Sequence, residues 1–223
     1  MNILLIAGHG QGDSGAIGNG YKEADLTREV VKLLKPQLSN YADVAIADTL
    51  TNWKQQIINK KKDYNFKNYD YVLEIHFNAA TKEAKSDGKT KGTEIYITTS
   101  EKTHGIETQI VKGISDIGFK NRGVKHQNYS LIQYIKNQGV SAALLEVCFI
   151  DDIDDMKLYQ SKKAEIIKAI AAGIINGFGL KSSQPEAVEI LKSKIGLEQQ
   201  TIDYLLNYKY GKELVTKIAN AVK

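Results

Sequence analysis

The sequence predicts an α/β fold: a largely parallel twisted sheet flanked by helices, with a small all-helical C-terminal module. Three observations carry this reading. Short apolar runs alternate with helical patterns over most of the chain. Two of those runs, residues 3–7 and 142–150, are almost continuously apolar, as befits strands covered on both faces. Beyond Pro185 only short helical patterns remain.

Residues 3–7 (Ile-Leu-Leu-Ile-Ala) form the first expected strand. A helix over residues 24–38 follows, with Leu26, Val30, Leu33 and Leu34 expected on one face. Residues 44–47 make a short strand, residues 53–62 a polar helix and residues 71–77 the next strand. In residues 93–99, Ile95 and Ile97 alternate with Tyr96 and Thr98, which predicts a more exposed edge strand. Helices are expected over 107–117 and 130–136, a strand over 142–150 and a long helix over 163–175, with Gly177 and Gly179 as stop signals. Residues 181–185 (Lys-Ser-Ser-Gln-Pro) read as a linker in which Pro185 opens a helix. Three helical patterns divided near Gly196 and Gly211 complete the chain. This gives a main domain over 1–180, the linker over 181–185 and a module over 186–223. A piece that small has to dock on its neighbour, or pair with a second copy as a homodimer.

The composition narrows the function. With 42% hydrophobic and 25% charged residues, the 223-residue chain is globular rather than disordered or fibrous. No apolar stretch approaches the ~18–20 residues of a membrane span, so no membrane insertion is expected. Cys148 is the single cysteine and forms no internal disulfide. A net charge of +4 is too mild for a nucleic-acid partner. Arg28 and Arg122 are the only arginines among 30 basic residues, which favours diffuse attraction to an anionic surface over bidentate phosphate recognition. Met1-Asn2 lacks a basic region and residues 3–7 are too short for a signal-peptide core, so synthesis in the cytoplasm without a signal peptide is expected.

The chemistry-bearing residues gather at the expected carboxyl ends of strands. Gly8-His9-Gly10-Gln11-Gly12-Asp13-Ser14-Gly15 follows the first strand, where open α/β sheets bind ligands. Its Gly10-x-Gly12-x-x-Gly15 also matches the dinucleotide fingerprint. That motif requires a helix directly after the third glycine, and Gly18-Asn19-Gly20 prevents one. Glu23 lies three residues before Leu26 and seven before Val30, on the apolar face of its helix, where a carboxylate needs a cation or several donors. On the strand 71–77, Val72, Glu74 and His76 share a face. His9, Glu23 and His76 thus make a zinc set with a fourth position open to water. Glu74 either supports that set or pairs with a lysine. Glu146 is the single charge in residues 142–150; burial there raises its pKa toward the range of a group that takes up and delivers protons near neutrality. Cys148, two residues on, shares its face and reads as core.

The set Gly8-His9-Gly10, Gly12-Asp13, Gly15-Ala16, Gly18 and Glu23, then Ile75-His76-x-Asn78-Ala79, then Leu144-Leu145-Glu146-Val147-x-Phe149-Ile150, closely resembles the zinc-dependent N-acetylmuramoyl-L-alanine amidases over about residues 1–180. The resemblance implies cleavage of the bond between muramic acid and L-alanine in bacterial peptidoglycan, with His9, Glu23 and His76 as zinc ligands and Glu146 as the catalytic glutamate. Asn121-Arg122-Gly123-Val124-Lys125 resembles a family segment beside the substrate groove, which implies substrate contacts for Arg122 and His126, and Asn78 of the Ile75–Ala79 motif is expected to bind substrate as well. His104 matches nothing and is expected at the surface. A wall hydrolase without a signal peptide, joined to a small module, points to a phage or prophage endolysin that reaches the wall after release, its module binding the wall. The alternatives are a non-catalytic wall-binding or regulatory relative, and a zinc carboxypeptidase.

Overall fold

The computed structural model describes residues 1–59, 64–80, 86–182 and 184–222. β1 (Asn2–Ala7) enters the core at once, five of its six residues being buried. A tight hairpin of β2 (Ile17–Gly18) and β3 (Tyr21–Lys22) turns through Asn19 and Gly20, both at positive φ, so no helix can start before Glu23. α1 (Glu23–Leu38) then runs back along the sheet. Its buried stripe is Leu26, Val30, Leu34 and Leu38, spaced four apart, and Leu33 falls outside it at 40% exposed.

β4 (Asp43–Ile46), α2 (Trp53–Ile58), β5 (Tyr71–Asn78), β6 (Thr93–Ile97), α3 (Gly105–Ser115), β7 (Asn121–His126), α4 (Ser130–Lys136) and β8 (Ser141–Phe149) follow. The last part of the expected helix over 53–62 lies outside the described residues. Six strands form one sheet in the order β4-β1-β5-β8-β6-β7. β4, β1, β5 and β8 are parallel, whereas β6 joins β8 antiparallel and pairs with β7 in parallel. β6 is therefore not the exposed edge that its alternation predicts: all five residues are buried and β7 takes the edge. Its alternation separates two buried environments. Ile95 and Ile97 join the core beneath α1, α3 and α5, while Glu94 and Tyr96 turn to the opposite face.

α5 (Ile153–Gly177) is longer than its expected span of 163–175. Asp152 caps its N-terminus by accepting from the amides of Asp154 and Asp155, and Lys162 breaks the helical geometry. The acidic run 151–155 hides the start of the helix because it interrupts the apolar pattern. One apolar core packs α1, α3 and α5 under the sheet; a second packs α4 and the aromatic residues around Trp53 above it. Cys148 is fully buried in the first core together with Val147. The register shifts between the pairs His76–Glu146 and Asn78–Phe149, and this irregularity turns Cys148 away from the face of Glu146 that simple alternation assigns to it.

α6 (Gln184–Ile190) starts inside the segment read as a linker and runs into a wider helical turn at Leu191–Ile195 that Gly196 ends at positive φ. α7 (Gln199–Leu206) and α8 (Gly211–Ala221) complete a small core of Ala187, Leu191, Ile202, Val215 and Ala219. The α7–α8 turn faces the C-terminal end of α1, with Pro36 and Ser39 on one wall of a cleft and Tyr208 and Tyr210 on the other. Among the described residues, no helix is long and apolar enough to cross a membrane.

Candidate metal centre

Beyond β1, Gly8 donates its amide to the carbonyl of Ile75 at 2.9 Å, continuing the β1–β5 ladder by one residue. Gly8 has to be glycine, because a Cβ there would sit 2.4 Å from the His76 ring. The chain then turns at His9, which adopts φ +64°, a conformation that costs a non-glycine residue about 1–3 kcal/mol and persists only where its surroundings hold it. Here α1 does so. Thr27 Oγ1 donates to the Gly8 carbonyl at 2.9 Å, and Arg28 Nη2 donates to the carbonyls of His9 and Thr49 at 3.2 and 2.9 Å.

The ring of His9 is fixed from both sides. Nδ1 lies 3.0 Å from Asp13 Oδ2, and Asp13 is held in turn by Asn52 Nδ2 at 2.9 Å and by the Gly15 amide at 3.0 Å. Nε2 lies 3.0 Å from Glu23 Oε2, out of line for a hydrogen bond, and is buried without a hydrogen-bond partner among the described residues. Glu23 is 5% exposed at the start of α1. Its Oε2 accepts from the Ala16 amide at 2.9 Å, and its Oε1 accepts from the Phe77 amide at 3.0 Å and lies 2.8 Å from His76 Nδ1. The remaining nitrogen, His76 Nε2, lies 3.0 Å from Glu74 Oε1. Among the described residues, Glu74 thus pairs with the histidine and not with a lysine.

His9, Glu23 and His76 each present a ligand atom within 4.8 Å of the others, drawn from a loop, a helix and a strand. Two imidazoles and a carboxylate are a donor set that suits zinc, and the buried His9 Nε2 without a partner is the orphan that a cation would satisfy. The electrostatics agree. Burial opposes ionisation of Glu23, yet the hydrogen bond from His76 and the nearby charge of His76 and His9 outweigh it and hold the carboxyl far below the usual carboxylate range. Burial likewise opposes protonation of His9, but Glu23 and Asp13 raise its pKa; Glu74 and Glu23 do the same, more strongly, for His76. The carboxylates therefore favour positive charge at this point.

Glu146 stands opposite His76 in the β5–β8 register and lines the same cavity of ≈240 Å³, with Asn78, Ala79, Tyr129 and Leu131. Burial pushes its pKa up to about 7; His76 opposes the rise, while Glu23, Glu94 and Glu74 add to it. Its Oε2 is buried without a hydrogen-bond partner among the described residues.

Asn78 reaches the cavity and donates to Glu94 Oε1 at 2.7 Å. Arg122 and His126 do not line it. Arg122 Nε donates to Glu94 Oε2 at 2.6 Å, and its guanidinium lies 4.9 Å from the Phe149 ring centre. His126 is exposed at the end of β7, its ring 6.0 Å from that of the exposed His104. Glu94, not singled out by the sequence, is 1% exposed and gathers Asn78, Tyr96, Arg122 and Lys125. Asp13 and Asn52 were also missed. Glu94 sits in an alternating strand beside Thr93, so its pattern reads as a solvent-facing position and gives no signal like that of Glu146.

The model of the N-acetylmuramoyl-L-alanine amidase family matches residues 3–176. The chain is 31% identical to the endolysin of Bacillus phage SPP1 over 78% of its own length and 64% of the endolysin, so it spans less than two thirds of that relative. It is 28% identical to the sporulation-specific N-acetylmuramoyl-L-alanine amidase of Bacillus subtilis, covering 88% of this chain and 74% of that one. Among solved structures, the catalytic domain of the CD27L endolysin, which targets Clostridia difficile, superposes with a TM-score of 0.60 at 26% identity, covering 79% of this chain and 97% of that one. The catalytic domain of the amidase CwlV from Bacillus (Paenibacillus) polymyxa superposes at 0.64 over 81% of this chain and 100% of that one; at 22% identity this speaks to the fold alone.

Proposed function

The chain belongs to the N-acetylmuramoyl-L-alanine amidase family, and from that premise we propose that it cleaves the amide bond between N-acetylmuramic acid and the L-alanine of the stem peptide in bacterial peptidoglycan. The observation that carries this reading is the convergence of His9, Glu23 and His76 on one point with Glu146 across the strand pair from His76. His9, Glu23 and His76 would hold the ion, which we take to be zinc. Zinc supplies Lewis-acid chemistry there, polarising an amide carbonyl and making water easier to deprotonate.

The protein side chains do the rest. Asp13 fixes the ring of His9 and Glu74 that of His76, so both imidazoles keep one orientation. Glu146 takes the proton of the attacking water on its unpartnered Oε2 and then delivers it to the departing amine of L-alanine. A pKa near 7 suits both halves of that task. Asn78, held by Glu94, meets the substrate at the cavity wall, and Arg122 acts by anchoring Glu94. We assign residues 1–180 to catalysis and residues 186–223 to binding the wall, and propose an endolysin role: release of the protein to the wall followed by lysis.

The test incubates the purified protein with peptidoglycan and identifies the new amino termini by mass spectrometry. N-terminal L-alanine on released stem peptides supports the reading. Release of a C-terminal amino acid instead identifies a carboxypeptidase, and walls bound without new amino groups identify a non-catalytic relative.

A further inference from the structure

Far from the metal centre, the last turns of α7 and the α7–α8 turn carry three tyrosines that the small core leaves outside. Tyr204, Tyr208 and Tyr210 are 67%, 66% and 65% exposed. The rings of Tyr204 and Tyr208 lie 6.2 Å apart at a tilt of 55°, and Lys209 Nζ lies 5.1 Å from the centre of the Tyr210 ring. Tyr208, Lys209, Tyr210 and Lys212 share with Pro36 the walls of a cleft of ≈230 Å³, which Glu213 also lines, its charge being met by Lys217. Among the described residues, neither Lys209 nor Lys212 has a carboxylate within 4.0 Å, whereas Lys217 is paired with Glu213 at 2.6 Å. The turn thus presents flat aromatic faces interleaved with two uncompensated cations.

We propose that this cleft is a second, non-catalytic site that takes an acidic polysaccharide of the cell wall; the identity of the polymer's source rests on the amidase reading above. A pyranose ring offers an apolar face of C–H groups that lies flat on an aromatic ring, while its hydroxyls reach a phenol edge. Tyrosine supplies both at low conformational cost, having two side-chain torsions to fix. Charge decides between partners. Lys209 and Lys212 complement the acidic groups of such a polymer, whereas a second copy of this face would bring the same four cations together. Position decides the role. Glu23 and the cleft lie at opposite ends of α1, whose 16 residues span about 24 Å, so a polymer in the cleft does not occupy the cutting site. It holds the enzyme to the wall and raises its effective concentration on bonds nearby.

The test uses the full chain carrying Glu146→Gln, so that walls survive the binding step, and measures its retention on purified walls with and without their acidic polysaccharides. Adding Tyr208→Ala or Tyr210→Ala should weaken retention about tenfold, Lys209→Gln with Lys212→Gln should flatten its salt dependence, and Tyr208→Phe should keep most of it. In chains that keep Glu146, the same tyrosine variants should still cleave a short soluble muramyl peptide at the normal rate. Equal retention of the tyrosine variants overturns the site, as does equal retention on walls stripped of acidic polymer. A concentration-dependent dimer that these substitutions dissolve overturns it in favour of self-association. Loss of soluble-substrate cleavage by the chain with all tyrosines intact would instead count against the amidase reading.

Discussion

Replacing Glu146 with glutamine should stabilise the metal-free protein while it abolishes turnover, and the two effects share one cause. The carboxyl is enclosed with no hydrogen-bond partner on Oε2 among the described residues, and burial carries its pKa from an ordinary 4.5 to about 7. At about 1.4 kcal/mol per tenfold change in proton affinity, ionising Glu146 costs the fold about 3 kcal/mol. The sign follows from linkage. The folded chain holds this proton more tightly than the unfolded chain, so the stabilisation is complete below about pH 4.5, declines as the pH rises and is gone above about pH 7. Glutamine does not titrate. The groups around position 146, which are His76, Glu23, Glu94 and Glu74, remain in both proteins, and because Glu146 itself raises the pKa of His76, the difference between them reports the coupled Glu146–His76 pair. Urea unfolding in the presence of a chelator, at about pH 5 and about pH 8.5, should show the variant gaining up to about 3 kcal/mol on the wild type between the two conditions. Hydrolysis should fall by at least about a hundredfold, the ordinary worth of a general base. A stability difference that does not change with pH would refute the buried, neutral state of Glu146, and undiminished hydrolysis would refute its role.

Three further outcomes follow from the same geometry. Asp13→Ala frees the His9 ring, and chelator competition should show metal binding weakened about 10–100-fold with the fold intact by circular dichroism. Gly15→Ala puts a Cβ 2.6 Å from both Glu23 Oε2 and His9 Cδ2 at a residue with φ +61°; it should lower the thermal midpoint and weaken metal binding together. Glu94→Ala leaves Arg122 and Lys125, both partly open to water, without their shared partner and should cost about 1–3 kcal/mol in urea unfolding.

Much of this site can be read from the sequence because burial makes polar residues conspicuous. Glu23 on an apolar helical stripe and Glu146 in a run of aliphatics each contradict their surroundings, and each proves to face the cavity. The strands 71–77 and 142–150 are legible for the same reason, since a strand covered on both faces has no solvent-facing positions to dilute the pattern. The pattern in residues 93–99 misleads because Glu94 and Tyr96 look like solvent-facing residues when they face a buried cluster of charges. No local signal brings Arg122 and Lys125 to Glu94, because β6 and β7 meet only through tertiary pairing. Asp13 and Asn52 are likewise 39 residues apart, and their contact exists only once α2 is in place.

The register of three strands does more for the site than any single loop. His76 on β5 pairs with Glu146 on β8, and Glu146 pairs with Glu94 on β6, so the three side chains form one row across the sheet at a spacing of about 4.8 Å per strand. A slip of one residue in β8 would turn Glu146 into the apolar core and bring Leu145 or Val147 to the cavity. The near-continuous apolar character of β8 leaves such a slip weakly opposed, because both neighbours of Glu146 are core residues themselves. What opposes it lies beyond the row. The register shift after Glu146 sends Val147 and Cys148 into one core, and Asp155 then accepts from the Phe149 amide at 2.7 Å and from the Gly92 amide just before β6. That carboxylate ties the exit of β8 to the entrance of β6 and fixes the level at which Glu146 faces His76.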